Sequence, residues 1–134
     1  MSMHYTVGAN VILKNDQVLL VQEGIDHAKG EWNLPAGGVE PHESLKDAAK
    51  REAKEETNLI VDSVEQVKTY KKYNQRTDSP VSITVYKSEI KSGKAETPDS
   101  DEIMNVKYFD INELENIDLR ADYILTALRD MNLL

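Results

Sequence analysis

Apolar and polar positions alternate at the start of the chain, then change period, and most of the elements can be read from those changes. "HYTVGANVIL" (residues 4–13) and "VLLVQ" (18–22) are two short strand-like runs. The turn cluster Lys14-Asn15-Asp16-Gln17 separates them and predicts a hairpin. Gly8, inside the first run, marks a place where another backbone approaches closely. Residues 23–30 read as a polar loop, and "WNLPAGG" (32–38) as irregular chain punctuated by Pro35 and the glycines. From Ser44 to Thr57 the period becomes helical, with no Gly or Pro and many Ala, Lys and Glu. Glu43 and Ser44 stand where acids and caps belong, and Asn58 follows where a left-handed residue closes many helices.

The second half returns to strands. Residues 59–73 hold one long strand or two short ones, "VSITVYKSEI" (81–90) alternates well, and Ser92-Gly93-Lys94 turns the chain. "IMNVKYF" (103–109) is a further strand and residues 112–116 a helical turn. Residues 119–131 close the chain as a helix, with Ile124, Leu125, Leu128 and Met131 at helical spacing. The order β-β-loop-α-β-β-β-α predicts an α+β fold, with a mixed sheet flanked by helices, over one domain spanning residues 1–134.

On a helical wheel, Leu45, Ala48, Ala49 and Ala53 lie on one side of the 44–57 helix. Lys46, Asp47, Lys50, Lys54 and Thr57 lie on the other. Glu52, Glu55 and Glu56 share the arc of the apolar residues, as i, i+3 and i, i+4 partners that project together. A solvated acidic face, the ordinary meaning of a charge run, falls opposite the apolar stripe. Carboxylates that continue the apolar face suit a hard divalent cation such as Mg²⁺ or Mn²⁺. Three close glutamates without one would repel, raising their pKa values.

The formal charge of −8 changes the picture in two ways. It argues against a nonspecific nucleic-acid binder, which needs a cationic footprint. It also means that a phosphate substrate would need a bound cation to offset like-charge repulsion. There is no cysteine, hence no disulfide scaffold. No leader or membrane-length apolar run is visible, and the expected setting is the cytoplasm.

The stretch "AGGVEPHESLKDAAKREAKEETNL" (36–59) resembles the Nudix box, G-x5-E-x7-R-E-U-x-E-E-x-G-U, where U is a bulky aliphatic residue. Gly37, Glu43, Arg51, Glu52, Glu55 and Glu56 fall in register, and Leu59 takes the last aliphatic position. Ala53 is smaller than usual, and Asn58 replaces the second glycine. Asn tolerates the left-handed conformation, so the helix stop should survive. The order of elements is also similar to the Nudix α/β/α sandwich.

The resemblance implies Mg²⁺-dependent hydrolysis of a P–O–P linkage in a nucleoside di- or triphosphate or a related derivative, with Mn²⁺ as a substitute. By motif position, Glu52 and Glu56 are metal ligands, Glu55 a ligand or general base, and the Ala36 carbonyl a further ligand. Arg51 and Glu43 orient the glutamates. Glu102, in "SDEI", matches an acid that some members use as an extra ligand or base. Trp32, Tyr70, Tyr73 and the lysines of "KTYKKYNQR" are candidates for contact with a base or phosphate; core packing for Trp32 and a charged edge strand for "KTYKKYNQR" are the simpler readings. His42 stands where many relatives have glycine. The proline about fifteen residues past the box that marks ADP-ribose enzymes is absent, with Asn74 there instead. "WNLPAGGVE" and "DSDEI" are similar to small bacterial members acting on nucleoside triphosphates or the thiamine pyrimidine diphosphate. The partner is then a small molecule, with neither membrane nor nonspecific nucleic acid. A homodimer is open by resemblance, with no interface signature. The competing class is a Nudix-fold module that senses a nucleotide or binds a partner without turnover.

Overall fold

A computed structural model describes residues 5–74 and 78–134. His4, at the head of the first expected strand, and Gln75 and Arg76, at the end of the basic stretch, lie outside the described residues. The strands are β1 (Tyr5–Lys14), β2 (Gln17–Glu23), β3 (Trp32–Asn33), β4 (Ala36–Gly38), β5 (Ile60–Asn74), β6 (Ser79–Ser92) and β7 (Ile103–Asp110). The helices are α1 (Leu45–Thr57) and α2 (Tyr123–Asp130), with 3-10 turns at Asp26–Ala28 and Ile111–Asn116.

β1 is the strand that the others share. It pairs parallel with β6 on one side and antiparallel with the short β4 on the other. Its last residues turn through the expected hairpin into β2, with Leu13 opposite Val18. β2 then pairs antiparallel with β7 and β3, and β5 pairs only with β6, at the end of the strand order. The parallel β1–β6 pair makes the sheet mixed, as expected.

The period-two alternation of β1 decides which helix covers which face. Val7, Ala9 and Val11 join the larger core with Ile83, Val85, Ile124, Ala127 and Leu128, so this face carries α2. Asn10 and Ile12 point the other way; Ile12 packs with Leu19, Ala53, Leu59 and Val61 under α1. With one helix on each face, the architecture is an α/β/α sandwich. No helix among the described residues is long and apolar enough to cross a membrane.

Several boundaries differ from the sequence reading. "WNLPAGG" is not irregular throughout, because β3 and β4 are short strands within it. The stretch read as 59–73 is one strand, β5 (Ile60–Asn74), interrupted by register shifts between residues 60 and 68. The closing helix begins at Tyr123, not at Leu119. Ahead of it the Trp32 N–H donates to the Asp118 carbonyl and the Arg120 N–H to the Trp32 carbonyl, so the chain continues the sheet edge before it can turn. Thr57, placed on the solvent side by the wheel, is fully buried. Its hydroxyl donates to the Ala53 carbonyl at 2.6 Å and accepts from the Leu59 N–H, which satisfies it inside the helix end.

Candidate active site

The site begins with how closely α1 lies on the sheet. A Cβ at Gly8 would stand 2.6 Å from the Leu45 carbonyl oxygen and 3.0 Å from the Ala49 nitrogen. Only glycine lets the helix backbone settle there, as its place in the apolar run anticipated. Ala48, Ala49 and Ala53 are fully buried and keep the helix side of the contact thin. The fully buried Asn10 then locks it. Its amide donates to the Pro35 carbonyl at 3.0 Å and the Ala49 carbonyl at 2.8 Å, and its oxygen accepts from the Ser88 hydroxyl. One side chain thus ties β1, β6, α1 and the approach to β4.

The helix ends are set by side chains. The Ser44 hydroxyl accepts from the Asp47 N–H, an N-cap. Asn58 is left-handed (φ 67°, ψ 14°), so the stop survives the loss of glycine. His42 is also left-handed, at φ 66°, a conformation that favours glycine.

Arg51 holds the acids apart. Its guanidinium meets Glu43 through two bonds of 2.8 and 3.0 Å, a bidentate fork. It also donates to Glu52 at 2.8 Å and to the Gly38 carbonyl at 2.9 Å, and reaches Glu55 at 3.3 Å. Hydrogen bonding to Arg51 holds the Glu43 carboxyl down at about 2. Arg51 thus bridges Glu43, Glu52 and the Gly38 carbonyl, the contacts that an orienting role would use.

Glu52 fills space that Gly37 leaves, since a Cβ on Gly37 would collide with the Glu52 carboxyl group. The Glu52 side chain is 16% exposed and that of Glu55 56%, so the two do not share one environment: Glu55 stands at the solvent flank. Glu56 is the deepest. It accepts from the Ala36 N–H at 3.0 Å, and burial pushes its carboxyl well above the usual range, with Glu52, Glu23 and Glu55 adding repulsion. Burial likewise raises Glu52, against the pull of its bond to Arg51.

Two acids arrive from elsewhere in the chain. Glu23 ends β2 beside a register shift in the β2–β7 ladder, the kind of irregularity that re-aims a side chain. Burial raises its carboxyl too, and it lies close enough to Glu56, Glu31 and Glu102 to feel their charges. The sequence reading passed over Glu23 as loop. The signal was its place one residue beyond a short apolar strand, in step with Leu19 and Val21. Glu102 is brought to the same region, where its charge acts on Glu52 and Glu23. The Gly24 N–H donates to the Glu102 carbonyl at 2.8 Å, and a Cβ on Gly24 would strike the Asp101 backbone.

Among the described residues no three acids or histidines stand together as a ready-made metal cage; Glu52 is turned to Arg51 and Glu56 to the Ala36 amide. The donor chemistry nonetheless fits a divalent cation. All donors are oxygens, and carboxyls raised by burial and mutual repulsion mark negative charge that the protein alone leaves uncompensated.

Beside Ala36 and Gly37 lies a cavity of about 200 Å³, lined also by Asn33, Lys72, Asn74, Arg120 and Tyr123. Lys72, Arg120 and Tyr123 also line an adjoining cleft of about 600 Å³ with Tyr70. The Tyr70 hydroxyl donates to Asp130 at 2.6 Å. The Trp32 ring stands edge-on to Phe109 at 4.7 Å between centroids, so it packs on the core. Tyr73 is 54% exposed on β5.

Known proteins add an independent line. A stretch of 60 residues is 42% identical to the 8-oxo-dGDP phosphatase of Mus musculus, covering 45% of this chain but spanning only 19% of that protein's length. The oxidized purine nucleoside triphosphate hydrolase of Danio rerio is 28% identical over 115 residues, 86% of this chain and 72% of that one. Among solved structures, a NUDIX hydrolase from Nitrosomonas europaea superposes with a TM-score of 0.88 at 23% identity, over 97% of this chain and 89% of that one; at that identity it speaks for the fold. Residues 4–128 match the NUDIX domain, the box lies within them with Glu52 packed against Gly37, and the chain belongs to the NUDIX domain family.

Proposed function

We propose that this chain hydrolyses a P–O–P linkage in a nucleoside di- or triphosphate or a related derivative, with Mg²⁺ as the cation and Mn²⁺ as a substitute. The observation that carries the reading is the pair Glu52 and Glu56. Both are withdrawn from water with their carboxyls raised by burial, and Glu52 fills the space left by Gly37, at the edge of the cavity. The mouse and zebrafish relatives, whose names specify a nucleoside diphosphate and nucleoside triphosphates respectively, support the substrate class.

Glu52, Glu56, the Ala36 carbonyl and, at the rim, Glu102 would hold the cation, with Glu55 as a further ligand. When bound, it neutralises the diphosphate and activates water for attack on phosphorus. The chain's own residues do the rest. Arg51 fixes Glu52 and Glu43 against Gly38, and the Ala36 N–H fixes one oxygen of Glu56. Glu55, more exposed than Glu43 and Glu52, takes the proton of the attacking water. Asn10 keeps α1 and the approach to β4 at a constant separation, so that the reacting groups meet in line.

The test is release of phosphate, pyrophosphate or nucleoside monophosphate from a broad panel of nucleoside di- and triphosphates and nucleoside diphosphate derivatives, with Mg²⁺ or Mn²⁺ and with a chelator control. Cation-dependent turnover of at least one class is expected. No turnover with either cation, together with retained nucleotide binding, would replace this reading with the sensing module.

A further inference from the structure

Lys72 and Arg120 are two cations on one cavity wall in a chain of net charge −8. Lys72 projects from β5, the outer strand, and is half-buried; among the described residues it has no ion pair. Arg120 comes from the segment that bonds to Trp32 ahead of α2, and its guanidinium lies 3.5 Å from Glu31 and 3.3 Å from His27. Their charges act on each other: burial first, then Arg120, pulls the Lys72 amine below its usual value, and Glu31 only partly offsets this.

Holding an amine half-buried beside a guanidinium is unfavourable in the free protein unless an anion arrives. The cavity that both residues line also reaches Ala36 and Gly37, and it opens through Lys72, Arg120 and Tyr123 to the outer cleft. Glu52 packs against Gly37 and Glu56 accepts from the Ala36 N–H, so a substrate whose scissile diphosphate sits at these two residues has the cavity wall of Lys72 and Arg120 open to its next group.

We propose that Lys72, backed by Arg120, receives an anionic group that the substrate carries in addition to its scissile diphosphate. This rests on the diphosphate reading above and sets a preference within it. The chemistry is shared by a third phosphate and by a carboxylate or phosphate on the organic portion of the substrate.

Two matched pairs separate those sources: a nucleoside triphosphate against its diphosphate, and UDP-glucuronate against UDP-glucose. Each pair is measured twice, as kcat/KM with Mg²⁺ and as binding affinity by calorimetry in EDTA. At least one pair should favour the more anionic member by about tenfold, the size of one charge-assisted hydrogen bond. K72Q should abolish that preference by lowering the more anionic member about tenfold further than the less anionic one, K72R should restore most of it, and R120Q should reduce it. A preference confined to the triphosphate pair assigns the subsite to phosphate, and one confined to the sugar pair assigns it to the organic portion. Equal use of both members of both pairs, or an equal loss for both members in K72Q, overturns the proposal while leaving hydrolysis intact. A preference in EDTA without turnover keeps the subsite and removes the hydrolytic reading.

Discussion

On one side of Gly37 the acids are cross-braced. Arg51 grips Glu43 at both oxygens and reaches Glu52, Glu55 and the Gly38 carbonyl, and behind them Asn10 pins the helix to β1. On the other side, Lys72 has no ion pair among the described residues and feels Glu31 only at a distance, while Arg120 is held by Glu31, His27 and its own backbone. Repelling groups can be held by a frame or left for a ligand to neutralise. The braced side fits chemistry whose geometry must not vary; the loosely held side fits selection, where a side chain adjusts to what enters.

The largest effect should come from breaking the acid side at its deepest point. E56Q is expected to lower kcat/KM by about 10²–10⁴-fold, the range associated with a group directly involved in proton or charge handling. Full activity with saturating Mg²⁺ would sink the assignment. The same variant tests the electrostatics without substrate. Glu56 binds its proton more tightly folded than unfolded, so its contribution to stability falls as pH rises past the ordinary carboxylate value of 4.5 towards the raised one. Metal-free E56Q should therefore melt a few degrees above the parent at pH 8, with the gap closing near pH 4. A parent that melts higher at both pH values would contradict this.

Removing the brace comes next. R51Q is expected to weaken Mg²⁺ affinity or kcat/KM by about 10–100-fold, as loss of an orienting partner does. Here the pH sign is opposite. Glu43 is depressed to about 2, so its pairing with Arg51 stabilises the fold fully above 4.5, and that stability is lost as pH falls towards 2. In R51Q this acid-side loss should flatten in melting curves taken between those values. Asn10 tests the frame by packing: N10L should cost about 1–3 kcal/mol in urea unfolding, because the Pro35 and Ala49 carbonyls each lose a buried donor. A neutral result would show that α1 does not need this tie.

Two smaller effects sharpen the edges of the site. E102Q should lower kcat/KM by less than about tenfold, consistent with a group acting on Glu52 and Glu23 from the rim; a loss as deep as that of E56Q would place Glu102 among the principal ligands. N58G should change stability by no more than about 0.5 kcal/mol, because relief of a left-handed side chain offsets lost hydrogen bonds to Lys54 and Lys94.

The acid side was largely legible in the sequence because α1 is local. Thirteen consecutive residues and the two that flank them set its face, cap and stop, and the wheel located Glu52 and Glu56 without tertiary knowledge. Glu55 was drawn too far inward, since the arc does not say where the sheet ends. The left-handed state was foreseen at Asn58 and missed at His42, though both stand where relatives carry glycine. Glu23 and Arg120 were not legible as site residues, and Lys72 only as one of the lysines in "KTYKKYNQR" able to meet a phosphate. Each depends on which strands become neighbours: β2 with β7, β5 beyond β6, and residues 118–120 against Trp32. No periodicity within a segment encodes those pairings. The short strands β3 and β4 were missed for the same reason, because two- and three-residue strands exist only through their partners.

The loop from Gly93 to Glu102 has a consequence for how the chain tolerates change. At its beginning the Glu96 N–H donates to the Thr57 carbonyl, and the Asn58 side chain donates to the Lys94 carbonyl; at its end the Glu102 carbonyl accepts from Gly24. Both ends are anchored to the elements that carry Glu56 and Glu23, so the stretch between them is a tether whose contour length is decoupled from the position of Glu102. Lengthening a flexible tether costs only about 0.6 kcal/mol per doubling. The Ser100 hydroxyl accepts from the Glu102 N–H, so residues around Thr97, ahead of that bond, are the place where insertions can accumulate, or a tag can be built in, while the acid at the end stays on station.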